Sequence, residues 1–258
     1  MLCCAFVLPE ERAPRPVPNK YFEIVVHTPD CKGNECFTEF IFLSNGIAIR
    51  KLPVTGKENG RLIEVRQAGV QQTAALFAQV ETFFTSGIGP GNPGKAQDQL
   101  FYYDGEKYYA YNAFTPAPAE MGRIFDDSGG AFNTGKGAED FFLHTYWQPL
   151  KGGTKSLHAF ADGTVIDSMF VRQTSSIVYT SMSQLKAGDF EKLRTLAAAA
   201  SAAPEKKYMK CGRETGLDYG FVEFQNAGAY ARSFACGEGG NLFSPILTHM
   251  RDNYGDAK

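Results

Sequence analysis

Two histidines followed by threonines, His27-Thr28 and His144-Thr145, stand at matching places in two similar stretches of the chain. Each lies at the end of an expected strand, where an imidazole can take up or release a proton near neutral pH. Spacing fixes no nucleophile or carboxylate beside either one, so a repeated structural position is the commoner explanation. Residues 130–136, GAFNTGK, have the G-x4-G-K spacing of a phosphate loop. Gly137 stands where a serine or threonine would hold Mg²⁺, and the residues after it read as a strand. The loop therefore lacks the helix N-terminus that anchors phosphate, and it reads as a connector.

Ser183 and Lys186 have Ser-x-x-Lys spacing at the start of an expected helix, but no Lys-Thr-Gly accompanies them. Ser183 reads instead as a partner for free helix amides. Asp126-Asp127-Ser128 lacks the alternation and distal glutamate of a Ca²⁺ loop and reads as a solvated turn. Apart from Cys3 and Cys4, the cysteines are Cys31, Cys36, Cys211 and Cys236, an even number that fits oxidised pairs. Cys31 and Cys36 bracket KGNE between two expected strands, so their Cα atoms can approach the ~5.5 Å of a disulfide. Cys211 and Cys236 flank the last hairpin. A turn at Asn226-Ala227 places Cys236 opposite Leu217, so pairing with Cys211 requires residues 212–216 to fold back. A lone Cys-x4-Cys does not match structural zinc spacing, and neither metal nor cofactor is expected.

Aromatic residues offer a different chemistry. In QLFYYDGEKYYAYNAF a turn at Asp104-Gly105 places Leu100, Tyr102, Lys107, Tyr109 and Tyr111 on one hairpin face. With Asp98 and Lys107 nearby, that face reads as wet, and Tyr102, Tyr109 and Tyr111 form a candidate binding patch. The second stretch carries Glu223, Gln225, Ala231 and Ser233 at the positions expected to match.

The elements that must hold these residues occur twice. Residues 67–86 carry Val70, Ala74, Phe77, Val80 and Phe84 at helical spacing before Gly87, and residues 186–203 carry Phe190, Leu193, Leu196, Ala197 and Ala200. Both begin near Ala-Gly. Short apolar runs rich in β-branched and aromatic residues precede each helix and a hairpin follows it. Shifted by 117 positions, residues 23–50 lie over 140–167, matching Asn45-Gly46 to Asp162-Gly163. With the shift drifting to about 120, Phe114 falls on Phe234. The expected fold is therefore α+β, a tandem duplication of a module with a mostly antiparallel sheet covered by one main helix. The copies span 20–134 and 138–258. Residues 122–132 read as irregular or a short helix, and 242–254 as a terminal helix.

At 258 residues, 43% hydrophobic and 21% charged, the chain has room for two small cores. A formal charge of −2 provides no basic field for nucleic acid. No run reaches the ~20 apolar residues of a membrane-spanning helix. Residues 1–19 join an apolar leader, MLCCAFVL, to a proline-rich linker, the layout of an exported chain with Cys3 or Cys4 as a lipid-anchor candidate. The sequence thus points to a non-catalytic secreted, periplasmic or cell-surface protein binding a protein, peptide or glycan. Any membrane contact would be through that anchor. The alternative is a hydrolase with a cleft between the modules and a strand-end histidine as general base.

Overall fold

The structure, a computed structural model, describes residues 18–28, 36–53, 61–88, 98–113, 117–137, 141–148, 154–171, 176–201, 219–226, 228–236 and 249. In the first half, β1 (Tyr21–His27), β2 (Phe37–Leu43), β3 (Ile47–Pro53) and β4 (Arg61–Gln67) lead into α1 (Val70–Thr85). There follow β5 (Asp98–Tyr103), β6 (Tyr108–Ala113), α2 (Ala119–Thr134) and the short β7 (Lys136–Gly137). The second half has β8 (Phe141–Gln148), β9 (Thr154–Phe160), β10 (Thr164–Val171), β11 (Ser176–Gln184), α3 (Ala187–Ser201), β12 (Tyr219–Asn226) and β13 (Ala229–Cys236).

The strands form two antiparallel sheets, ordered β6-β5-β1-β2-β3-β4-β7 and β11-β10-β9-β8-β12-β13. Read from its other edge, the second order is that of β6-β5-β1-β2-β3-β4. The fold class is α+β, and the two halves share strand order and the position of a helix after the fourth strand.

The cross-strand registers correct the alignment of the halves. Leu43 pairs with Tyr21, and Phe160, which corresponds to Leu43, pairs with Phe142. Tyr21 therefore corresponds to Phe142, and two residues further on Glu23 corresponds to His144. His27 and His144 are not equivalent. The unequal connections after β1 and β8 shift the first strand while the Asn45 and Asp162 turns stay matched. The helix starts shift too: Ala68 N donates to Gly46 O and Leu185 N to Gly163 O, so Ala68 corresponds to Leu185 rather than to Ala187.

Helices cover the outer faces and the sheets meet on their inner ones. On the first sheet Phe22, Ile24, Phe40, Phe42, Leu100 and Tyr102 pack beneath both α1 and α2. Each large side chain so buried contributes roughly 1.5–3 kcal/mol. The buried stripe of α1 is Thr73, Leu76, Phe77, Val80 and Phe83, whereas Val70 is 78% exposed and Ala74 is exposed. The helix is thus rotated from the expected face.

Residues 122–132 belong to a full 16-residue helix, α2. Gly122, Gly129 and Gly130 each cost about 1 kcal/mol against alanine in a helix interior, which masks its periodicity. Burial of Met121, Ile124 and Phe132 compensates. The phosphate-loop look-alike is the last turn of this helix plus β7, which pairs with β4. Asp126-Asp127-Ser128 also lies in α2, where the buried Ser128 Oγ donates to Ile124 O at 2.7 Å.

On the second sheet Phe141, Leu143, Leu157, Val222 and Phe224 pack beneath α3 through Leu193, Phe190 and Leu196. Ser183, at the end of β11, and Lys186 are both exposed. Of the expected terminal helix only His249 is described, and it is helical.

Between the sheets lie Tyr21, Ile41, Leu43, Ile47, Ile49, Ile63, Phe142, Phe160 and Ile166. Asn45, just before β3, meets Asp162 at the β9–β10 turn, while Lys51 near the other end of β3 reaches Phe142 on β8 and Glu223 on β12. Strand β3 therefore spans the facing sheet from the β9–β10 turn to β8 and β12.

Candidate functional site

Alternation along β2 and β3 puts Glu39 and Lys51 on the same inward face as Ile41, Leu43, Ile47 and Ile49, and the two pair across the strands. On the facing sheet the same rule turns His144, His158 and Glu223 inward with Phe142 and Phe160. Five ionisable side chains thus converge inside the sandwich. Lys51 is 1% exposed and Glu223 2%. Lys51 Nζ lies 2.7 Å from Glu39 Oε1 and 3.2 Å from Glu223 Oε1, so one ammonium bridges both sheets. It also sits 5.0 Å from the centre of the Phe142 ring. Burying an ammonium alone costs several kcal/mol, and two carboxylates at contact distance offset that cost.

The same Glu223 oxygen lies 3.6 Å from His144 Nδ1, and His144 Nε2 is 2.9 Å from Ser156 Oγ. A carboxylate only accepts, so it favours the tautomer with the proton on Nδ1. Nε2 is then free to accept from the Ser156 hydroxyl. His158 stacks on His144 with ring centres 4.1 Å apart. Tyr230 Oη donates to Glu223 Oε2 at 3.5 Å. Burial first, then Lys51, holds His144 below the ordinary histidine range, against the pull of Glu223 and Glu39. Burial, then His144 and Lys51, lowers His158 further still. Both imidazoles are neutral at pH 7. Ser156 hydrogen-bonds to His144, and Glu223 faces the other imidazole nitrogen at 3.6 Å, beyond hydrogen-bond distance, so the three line up across three neighbouring strands with His144 able to act as a base.

The corresponding place in the other half is built differently. Ser168 corresponds to Lys51 and Tyr21 to Phe142, and there the buried Tyr21 hydroxyl lies near Ser168 and Thr180, whose hydroxyls are 3.2 Å apart. Burial pushes the Tyr21 phenol well above its usual range. A tyrosine–hydroxyl joint thus replaces the lysine–phenylalanine contact.

Of the residues singled out by sequence, His144 belongs to the buried cluster. His27 is exposed at the end of β1, with its backbone N–H donating to Asp98 Oδ1 at 2.7 Å. The tyrosine face is turned the other way from the expectation. The hairpin loop is Gly105-Glu106, with Asp104 N donating to Lys107 O, so Tyr102 pairs with Tyr109 and Leu100 with Tyr111. The residues sharing the face are those expected, except that Lys107 falls in the turn region. That face lies beneath α1.

Tyr102 is 2% exposed and packs on Phe77 and Phe84, Tyr109 on Phe84, and Tyr111 on Phe83. The Tyr102 hydroxyl donates to Glu81 Oε1 at 2.6 Å, and that oxygen also meets Lys20 Nζ at 2.8 Å. Both contacts hold Glu81 below the usual carboxylate range, Lys20 first. In the second half Val222 and Phe224 hold the helix-facing positions, and Glu223 lies on the inter-sheet face.

In the last hairpin Asn226 pairs with Ala229, a register that pairs Cys236 with Tyr219 rather than with Leu217. Cys36 is 3% exposed and disulfide-bonded, whereas Cys31 and Cys211 lie outside the described residues.

Sequence reading missed Glu39, Lys51 and Glu223. The available signal was that Glu39 and Lys51 share alternation with four isoleucines and leucines, which marks a buried face rather than a solvated one. Among the described residues, no group of three or more His, Cys, Asp or Glu side chains is arranged to hold a metal ion. No helix among them is long and apolar enough to cross a membrane. No protein-family model matches the chain, and comparison with curated proteins returns no match.

Proposed function

We propose that this protein acts by binding a protein, peptide or glycan partner, as an exported scaffold made of two copies of one module, 20–134 and 138–258. The observation that carries this reading is the double ion pair of Lys51, which ties Glu39 of one sheet to Glu223 of the other. Removing one partner of such a buried pair costs about 3–5 kcal/mol, so the contact resists separation of the two sheets. Rigid frames lower the ordering cost of recognition by the loops they carry. Export is supported by the disulfide at Cys36, for which Cys31 is the proposed partner. A lipid anchor at Cys3 or Cys4 remains part of the same proposal.

The test presents the labelled full chain to peptide and glycan arrays. Saturable binding that disappears when the protein is unfolded is expected, and no binding on either array overturns the reading. A second reading, a hydrolase, is favoured by one observation, the Ser156–His144–Glu223 series.

A further inference from the structure

We infer that Ser156 is a nucleophile, with His144 as its base and Glu223 as the group that orients the base, acting on small uncharged activated esters. The inference rests on the hydrolase reading and goes beyond binding. Ser156 Oγ lies 2.9 Å from His144 Nε2, within the reach that proton transfer needs, and His144 Nδ1 faces Glu223 Oε1 at 3.6 Å. Lys51 holds that same carboxylate oxygen at 3.2 Å, which fixes the orienting group in turn. Ser156 is half-buried and the His144 side chain is 13% exposed, whereas the Glu223 side chain is 3% exposed.

Substrate charge follows from the surroundings. Two carboxyl groups, Glu39 and Glu223, lie around one amine, Lys51, beside two histidines lowered by burial. Carboxylates near the serine disfavour an anionic ester relative to a neutral one. His144 is lowered from its ordinary value, so the base form prevails through neutral pH and somewhat below it.

The experiment uses the full chain and diisopropyl fluorophosphate. Ser156 Oγ attacks phosphorus, the P–F bond breaks, fluoride leaves and the hydroxyl proton passes to His144 Nε2. The expected result is one diisopropylphosphoryl adduct per chain, mapped by mass spectrometry to the peptide containing Ser156 and absent in urea. The labelling rate should rise with pH and level off once His144 is neutral. His144→Gln should slow it at least 10-fold. If that variant does not fold, the pH profile of the native protein decides. No adduct at Ser156, or adducts spread evenly over surface serines, overturns the inference. Either result leaves the array test of binding untouched.

Discussion

Asn45 Nδ2 donates to Asp162 Oδ2 at 2.5 Å, and the two residues occupy the same position in the two halves. Each also accepts the backbone N–H two residues on, Ile47 N at 3.3 Å and Thr164 N at 3.0 Å. A donor faces an acceptor at this contact, so aspartate at both positions would lose the bond. Asn45→Asp should replace the hydrogen bond with two facing carboxylates and cost roughly 1–3 kcal/mol at pH 7. Urea unfolding measures it, and an unchanged midpoint would show that the contact contributes nothing.

The turns holding these residues differ in tolerance although their backbones agree. Gly46 and Gly163 have φ of 89° and 83°, a region that costs an L-residue roughly 1–2 kcal/mol. At Gly46 an added Cβ would also lie 2.9 Å from the backbone oxygen of Ala68, whereas at Gly163 the nearest atom is the Gln184 side-chain oxygen at 3.2 Å. Gly46→Ala should therefore destabilise more than Gly163→Ala in thermal melts. Equal losses would mean that φ alone sets the cost.

These turns were also the most legible part of the sequence. Asn45-Gly46 and Asp162-Gly163 announced two hairpins, and glycine at positive φ is why they stood out. The alternation of β2 and β3 was equally readable, and with it the antiparallel class. What sequence could not supply was the partner of each face. Tyr102, Tyr109 and Tyr111 were placed on one face correctly, but α1 covers it, and helix-to-sheet docking leaves no local signature. Lys51 was harder still, because a cross-strand Glu–Lys pair normally marks solvent. Its burial depends on Glu223, 172 residues away along the chain.

Tyr102 is now expected to be a core residue. Tyr102→Ala removes a ring packed on Phe77 and Phe84 and should cost about 3–5 kcal/mol. Tyr102→Phe keeps the ring and loses only the bond to Glu81, worth roughly 1.5–3 kcal/mol for a charged acceptor. Chemical denaturation of both variants checks the order. A Tyr102→Ala loss below that of Tyr102→Phe would contradict the packing.

Lys51 provides the sharpest test of the joint between the sheets. Lys51→Met leaves Glu39 and Glu223 buried without their ammonium and should cost about 3–5 kcal/mol. The triple variant Lys51→Met, Glu39→Leu, Glu223→Leu removes the uncompensated charges and should recover most of that loss. Failure of the triple variant to exceed the single one in stability would locate the damage in packing instead.

The last prediction concerns acid. His144 and His158 both have folded-state pKa values below the ordinary 6.5, chiefly through burial. A base lowered in this way binds fewer protons folded than unfolded, so stability is full above about pH 6.5 and falls as pH drops through the folded values. Each histidine contributes a slope of at most about 1.4 kcal/mol per pH unit. Glu81 and Asp104, both lowered, begin to add acid sensitivity only near their ordinary values of 4.5 and 3.8, below the interval from pH 6.5 to 5 in which the two histidines act. Stability measured by urea unfolding should decline across that interval. His158→Phe should flatten the decline, because the position already neighbours Phe142 and Phe160 at 5.8 and 6.5 Å and a phenyl ring has no proton to gain. A native protein equally stable at pH 7 and pH 5, or a His158→Phe slope as steep as the native one, would remove the histidines from the acid response.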